Sequence, residues 1–446
     1  MSEPLSLPDN PDPTAAELIA ARPFLTRDTL DGLTLEGVPL ARIAAACGTP
    51  CWVYGAGVLR GRFRALRAAL DAAGLTAHIH YAVKANGNLA ILRVLAAEGA
   101  GADVVSGGEL GRARAAGIDA TGIVFSGVGK TEAELSLALA EGVGQINVES
   151  AEELDQLSAI ASRLGRVAPV ALRVNPDVDA GTHAKITTGR AENKFGIAWA
   201  DAAEFYARAA SLPGIAPVGL AVHIGSQILS AAPYRAAFTR IAELVGGLRA
   251  RGLTVRVVDC GGGLGIGYRD EPTCPPTALA GAMRETLGDL GVTLALEPGR
   301  WLIGPAGVLL TKVIRVKRQG TIRPFVVLDA AMNDLVRPAM YEAWHGIVPV
   351  AAADLVRTPE IADIVGPVCE TGDTFARGRA LAPLAPGALV AILDAGAYGA
   401  AMSSTYNARP LAAEVLVDGD RFDVIRPRQD EAALWAGERV PEWLNG

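Results

Sequence analysis

Between residues 77 and 297, short apolar runs alternate eight times with amphipathic stretches, and this rhythm constrains the fold more than any other feature of the chain. The runs are AHIHYAV (77–83), ADVVS (102–106), GIVFS (122–126), QINVE (145–149), VALRVN (170–175), VGLAVHIG (218–225), VRVVDC (255–260) and TLALE (293–297). Between them, stretches such as NLAILRVLAAEG (88–99), EAELSLALAEG (132–142) and AEELDQLSAIASRLG (151–165) carry apolar residues at helical spacing and stop at Gly. Apolar runs bounded by Gly and separated by helices read as buried parallel strands. A doubly wound open sheet and a (β/α)8 barrel both fit such alternation, and both place sites at strand C-termini. Eight units in a stretch close to the usual ~250 residues favour the barrel.

After residue 306 the rhythm changes. GVLLTKVIRVKRQG (307–320), PFVVLDA (324–330), ADIVGPVC (362–369), ALVAILDAG (388–396) and AEVLVDGDRFDVIRP (413–427) are rich in β-formers with turn residues between them. The fold expected is α/β: a TIM-like barrel over 48–305 and a second, mostly antiparallel β domain over 306–446. Residues 1–47 supply a tail (1–20, mobile) and a segment (22–46) that packs with the β domain. WVYG (52–55) leads into the helical stretch 56–73.

Composition excludes several classes. Half of the 446 residues are hydrophobic and 20% are charged, which is not the balance of a disordered chain. Lys+Arg 41 against Asp+Glu 48 gives −7, so nothing favours nucleic acid or an anionic membrane as partner. Five scattered cysteines make no disulfide framework, and no His/Cys spacing fits a metal centre. The acidic, Pro-rich start MSEPLSLPDNPDPT is neither a secretory signal nor a transit peptide, and the apolar run WLIGPAGVLL (301–310) is too short for a bilayer. A cytoplasmic protein is expected.

Only six of the basic residues are lysines: Lys84, Lys130, Lys185, Lys194, Lys312 and Lys317. Lys84 ends the first run, where a barrel turns its amine into the mouth, and a desolvated lysine becomes a nucleophile toward carbonyls. Taken alone it reads more readily as a lysine reaching solvent from a strand end. Other strand ends add His223 and Ser226 after run six, a triple glycine (261–263) after run seven and Glu297 after run eight. A nucleophilic lysine, a flat ring, a glycine cradle for phosphate and a carboxylate are the parts that pyridoxal phosphate requires.

The motifs YAVKA (81–85), HIGSQ (223–227), DCGGGLG (259–265) and EPGR (297–300) resemble the fold-type III, alanine-racemase-like pyridoxal-phosphate decarboxylases. NDLVRPAMY (333–341) and GPVCETGD (366–373) resemble the branch that converts meso-2,6-diaminopimelate to L-lysine and CO2, the last step of lysine synthesis. The resemblance runs from about residue 50 to 410, with the motifs in matching order; CETG stands where CESG is common, and Cys260 where other residues are usual.

It implies that Lys84 carries the cofactor covalently, that His223 stacks on the ring and that Glu297 keeps the ring nitrogen protonated. Ser226, Gly262, Gly263, Gly299 and the Tyr398 hydroxyl are implied to hold the phosphate, with Arg300 beside them. Asp103 is expected to pair with Lys84, while Glu109 and Arg173 match positions at the mouth, Glu109 serving equally well as a helix cap. Arg300 and Arg337 are implied to clamp the substrate carboxylate with Tyr341 and Tyr398 nearby, Glu370 to meet the distal ammonium, and Cys369 to return a proton to carbon. The resemblance further implies a homodimer in which the Cys369–Glu370 loop completes the partner's site. Two other readings stand beside it: a decarboxylase for ornithine, arginine, lysine or carboxynorspermidine, and a non-catalytic pyridoxal-phosphate carrier, which needs the barrel alone.

Overall fold

Eight apolar runs become eight parallel strands because each can bury both faces only between a helix layer and the strands across the barrel. The computed structural model describes residues 12–178, 195–320 and 322–444. Its barrel strands are β1 Ala77–Ala82, β2 Gly101–Val104, β3 Ile123–Phe125, β4 Gln145–Val148, β5 Ala168–Asn175, β6 Ile215–Ala221, β7 Val257–Asp259 and β8 Thr293–Leu296. Each pairs with its neighbour in sequence, and Leu294 of β8 lies in register with Ala77 of β1, so the sheet closes on itself. All residues of β3 and β4 are buried.

Local chemistry shortens the turns that lead from strand ends into helices. The side chains of Asn88, Ser106, Thr131 and Ser150 each accept a backbone N–H in the first turn of the helix that follows. Thr131 and Glu134 form a full capping box. Gly142 and Gly165 end their helices in the left-handed conformation. The C-termini of β1 to β4 therefore sit at the base of short, pinned loops.

The second unit comprises residues up to 58, 268–271 and 305 onward, and the barrel unit 59–267 and 272–304. The expected boundary at 48 is corrected here. Cys51–Gly55 is a fully buried central strand of the second unit, antiparallel to Gly307–Gln319 on one edge and parallel to Ala413–Asp418 on the other. The sheet around it is mostly antiparallel and also contains Ile322–Leu328, Ile347–Pro349, Glu360–Val365, Thr374–Leu381, Leu389–Ile392 and Arg421–Arg426. Its long strand, Gly307–Gln319, borders Cys51–Gly55, Ile322–Leu328 and Leu389–Ile392.

The N-terminal region is also part of this core. Leu18, Leu25, Leu33, Leu35 and Ile43 pack with Val53, Val308, Leu310, Val348 and Val415. The mobile tail expected over 1–20 is corrected from residue 12 onward. Ala15–Ala20 is a helix capped by Thr14 with Glu17, and it buries Leu18 and Ile19. Residues 1–11 lie outside the described residues, as do Lys185 and Lys194. Among the described residues no helix is long and apolar enough to cross a membrane.

Leu33 is fully buried, and its N–H donates to the Val350 carbonyl at 2.8 Å. Leu33→Ala is expected to cost about 2–5 kcal/mol in a urea melt, as for a core leucine. A change below about 0.5 kcal/mol would mark the N-terminal segment as a mere appendage.

Candidate active site

The C-terminal ends of the barrel strands surround a cavity of about 420 Å³, lined among others by Lys84, Ser126, Asn147, Arg173, His223 and Glu297. This is the size range of small-ligand sites. Lys84 lies in the single turn Val83–Ala85 that follows β1, and its Nζ donates to Asp103 Oδ2 on β2 at 2.8 Å. The Asp103 side chain is fully buried and that of Lys84 is 39% exposed. Burial works to raise the Asp103 pKa, but the Lys84 ammonium, with the Ser126 hydroxyl adding less, holds the carboxyl below its usual range.

His223 follows β6, and the Gly262 N–H donates to its Nδ1 at 3.1 Å. That nitrogen is thus an acceptor, and the ring proton sits on Nε2. Burial, then the positive charges of Arg173 and Lys84, push its pKa down to about 3, so the imidazole is neutral at any working pH.

Glu297 follows β8. Burial first, then the nearby Asp103 and Asp259, drive its pKa well above the carboxylate range, against Lys84 and Arg173. Its Oε1 accepts from Ser126 Oγ and Asn147 Nδ2, both at 3.4 Å. Asp259, at the end of β7, is fully buried and hydrogen-bonded to Glu297, and its pKa is also raised by burial. Asp259 accepts from Gln145 Nε2 at 2.9 Å and from the Gly261 N–H at 3.0 Å. Two carboxyls in contact, out of water, cannot both ionise, so the pair retains a proton.

The glycine turn that follows β7 is closed to side chains. A Cβ on Gly262 would lie 2.2 Å from the Glu297 carbonyl, and one on Gly263, at φ +94°, 2.2 Å from the Gly225 carbonyl. No other residue fits either position, and the loop carries its backbone close to whatever lies against it. Arg300 Nη2 donates to Ser226 Oγ at 3.1 Å, and Gly299 caps the turn in which Arg300 sits. Arg173 is held by Glu149 at 2.9 Å, with its guanidinium 4.8 Å from the Phe195 ring centre. Glu109 accepts the Val105 N–H at 2.8 Å within the Ser106-capped first turn, which is a capping arrangement. Cys260 is buried and its thiol pKa is raised by burial.

The structure places the remaining sequence candidates in the second unit. Arg337 is buried at the start of the helix Arg337–Tyr341, while Tyr341 and Tyr398 are half-buried. Tyr398 has φ +55°, in the left-handed region. Cys369 and Glu370 are exposed; the Cys369 N–H donates to Asn407 Oδ1 at 3.3 Å, and Glu370 bonds the Tyr406 hydroxyl, raising the phenol's pKa. Asp373 ties the two motifs of this unit together, accepting from the Met332 and Val368 N–H groups, each at 2.7 Å.

Residues 57–304 match the family described as pyridoxal-dependent decarboxylase, pyridoxal binding domain. The diaminopimelate decarboxylase of Zymomonas mobilis is 51% identical over 416 residues, 92% of this chain and 98% of its own. That of Pseudomonas aeruginosa is 50% identical over 412 residues, 92% and 97% of the two chains. The chain belongs to the diaminopimelate decarboxylase family. A solved family structure, the Helicobacter pylori diaminopimelate decarboxylase with L-lysine, superposes with a TM-score of 0.86 at 38% identity, covering 90% of this chain and 99% of that one.

Within this family site, the sequence reading did not single out Ser126, Gln145, Asn147, Glu149 or Asp259. Each is a polar residue on or just after an otherwise apolar strand, which is the signal they carried. Their partners come from other strands, and only closure of the barrel shows them.

The raised Glu297 pKa carries a sign that can be checked. The folded protein holds a proton there that the unfolded chain loses near pH 4.3, so stability drains as pH rises above that value. In the cofactor-free protein, Glu297→Gln removes this cost. Its stability relative to wild type is expected to grow from pH 5 to pH 8, by at most about 1.4 kcal/mol per unit, read from urea midpoints. A gap that stays constant with pH would show that Glu297 is ionised in the fold.

Proposed function

We propose that this chain decarboxylates meso-2,6-diaminopimelate to L-lysine and CO2, with pyridoxal phosphate as cofactor. The observation that carries the reading is the gathering of a lysine amine, a neutral imidazole and a proton-holding carboxyl on one barrel-mouth cavity. Near-full-length identity to diaminopimelate decarboxylases supports the choice of substrate.

The residues fit the cofactor. The Lys84 amine suits an aldehyde, the uncharged His223 ring suits a pyridine face, and the Gly262–Gly263 backbone, closed to any Cβ, suits a phosphate. Ser226, Arg300, Gly299 and Tyr398 complete the phosphate set in this reading. Bound there, the cofactor supplies an electron sink for the pair left when CO2 departs.

The chain's own residues do the rest. Asp103 orients the Lys84 amine, which would hold the cofactor's aldehyde, and balances its charge. Glu297, which shares a proton with Asp259, would hold the ring nitrogen and keep it protonated. Neutral His223 would hold the ring face without adding a charge that opposes this. Arg337 pairs with the carboxylate of the end that does not react, Tyr341 adds a hydrogen bond, and Glu370 meets the ammonium there. The Cys369 thiol delivers the proton that replaces CO2. Cys369 and Glu370 are exposed in the single chain, which supports a homodimer in which this loop serves the partner's site.

A decarboxylase that forms diamines has no distal carboxylate to hold, and Arg337 with Glu370 argues against it. A non-catalytic carrier has no use for the second unit. In an assay with meso-diaminopimelate, ornithine or lysine, L-lysine is expected from diaminopimelate alone, and none from Lys84→Ala. Arg337→Ala is expected to raise KM for diaminopimelate by about 100-fold, and an unchanged KM removes the clamp. Cys369→Ala is expected to lower kcat by roughly 10²–10⁴, and full turnover without the thiol would assign the proton to another group.

A further inference from the structure

A guanidinium has N–H donors and no acceptor. Arg337 Nη1 lies 2.8 Å from His345 Nε2, so that nitrogen must be bare and accepting. His345 Nδ1 lies 2.8 Å from the Leu393 carbonyl, which only accepts, so Nδ1 carries the proton. The two contacts together select one state of a buried histidine: neutral, with the proton on Nδ1. An imidazolium would turn an N–H against the N–H of Arg337.

The frame around this pair is pinned through main-chain carbonyls. Arg379 Nη1 donates to the His345 carbonyl at 2.8 Å, and Arg379 Nε bonds Asp12 at 2.9 Å. Asp12 also accepts from Trp344 Nε1 and Arg269 Nη2, each at 3.1 Å. The Tyr268 ring meets His345 edge-on at 5.1 Å and lies 4.8 Å beneath the Arg337 guanidinium. The Tyr268 carbonyl in turn accepts from Arg22, itself salt-bridged to Asp394.

We propose that His345 is the positioning residue that aims Arg337 at the substrate carboxylate. The proposal rests on the reading of Arg337 as a carboxylate clamp. A neutral acceptor fixes the plane of the guanidinium and takes up one N–H without cancelling its charge. A carboxylate in the same place would orient it equally well but weaken its attraction for an incoming anion. The tyrosine face below stabilises the cation without neutralising it.

The test uses the holoenzyme and two ligands that differ in one group: L-lysine, which keeps the clamped carboxylate, and cadaverine, which lacks it. His345→Leu is expected to raise KM for meso-diaminopimelate and weaken inhibition by L-lysine, each about tenfold, with kcat within about twofold and cadaverine inhibition unchanged. His345→Gln puts a side-chain oxygen near the place of Nε2 and is expected to restore most of both. Equal losses toward L-lysine and cadaverine, or a fall in kcat alone, overturn the proposal. Arg337→Ala run alongside separates the two ideas: if it leaves L-lysine inhibition intact, the clamp reading fails. If Arg337→Ala shows the loss and a folded His345→Leu does not, only the role of His345 fails. Should His345→Leu not fold, the ¹⁵N spectrum of wild-type His345 decides, with a bare Nε2 expected and a proton on Nε2 overturning the proposal.

Discussion

Desolvation of three carboxyls inside the barrel is the constraint on which the candidate site depends. Asp103, Asp259 and Glu297 reach the interior from β2, the end of β7 and the residue after β8, and burial opposes ionisation of each. What distinguishes them is their partners. Asp103 has the Lys84 ammonium at 2.8 Å and stays charged; Asp259 and Glu297 have each other and keep a proton. One residue type thus performs two jobs, counter-ion and proton store, because the barrel supplies two environments.

The second unit solves a different problem with neutral partners. Arg337 is buried against an imidazole and a tyrosine face, both held by arginines bonded to their main-chain carbonyls. Those arginines are themselves paired with Asp12 and Asp394, so the charges that build the frame are balanced locally. The N-terminal segment is part of this arrangement as well as of the core: Asp12 and Arg22 both come from it. Its helix and strands make the unit one folded body with Cys51–Gly55 at the sheet's centre.

The barrel was readable because its signal is repeated and local. All eight apolar runs became barrel strands, and Gly ended the helices where the pattern placed it. WVYG was misplaced because a short apolar run before a helix looks alike whether it pairs with the next strand in sequence or with one 250 residues later. Only the register with 307–310 and 413–417 tells them apart. Thr14-x-x-Glu17 was a readable helix start, obscured by the Pro-rich, acidic residues before it. Lys84, His223 and Glu297 were legible as strand-end residues of unusual type, and the family motifs named their roles. Asp259 was legible only as part of a glycine motif; its pairing with Glu297 and Gln145 joins three strands.

The sequence by itself determined which residues stand at the strand ends, since hydrophobic period, caps and glycines act over a few residues. It also determined the chemical types available there: an amine, an imidazole, carboxyls and a thiol. Tertiary structure decided which of them are charged. Protonation depends on burial and on neighbours brought in from distant parts of the chain, and these exist only once the barrel has closed and the second sheet has formed. The neutral state of His223, the proton held by Glu297 and the Nδ1–H form of His345 are therefore properties of the fold, written nowhere along the chain.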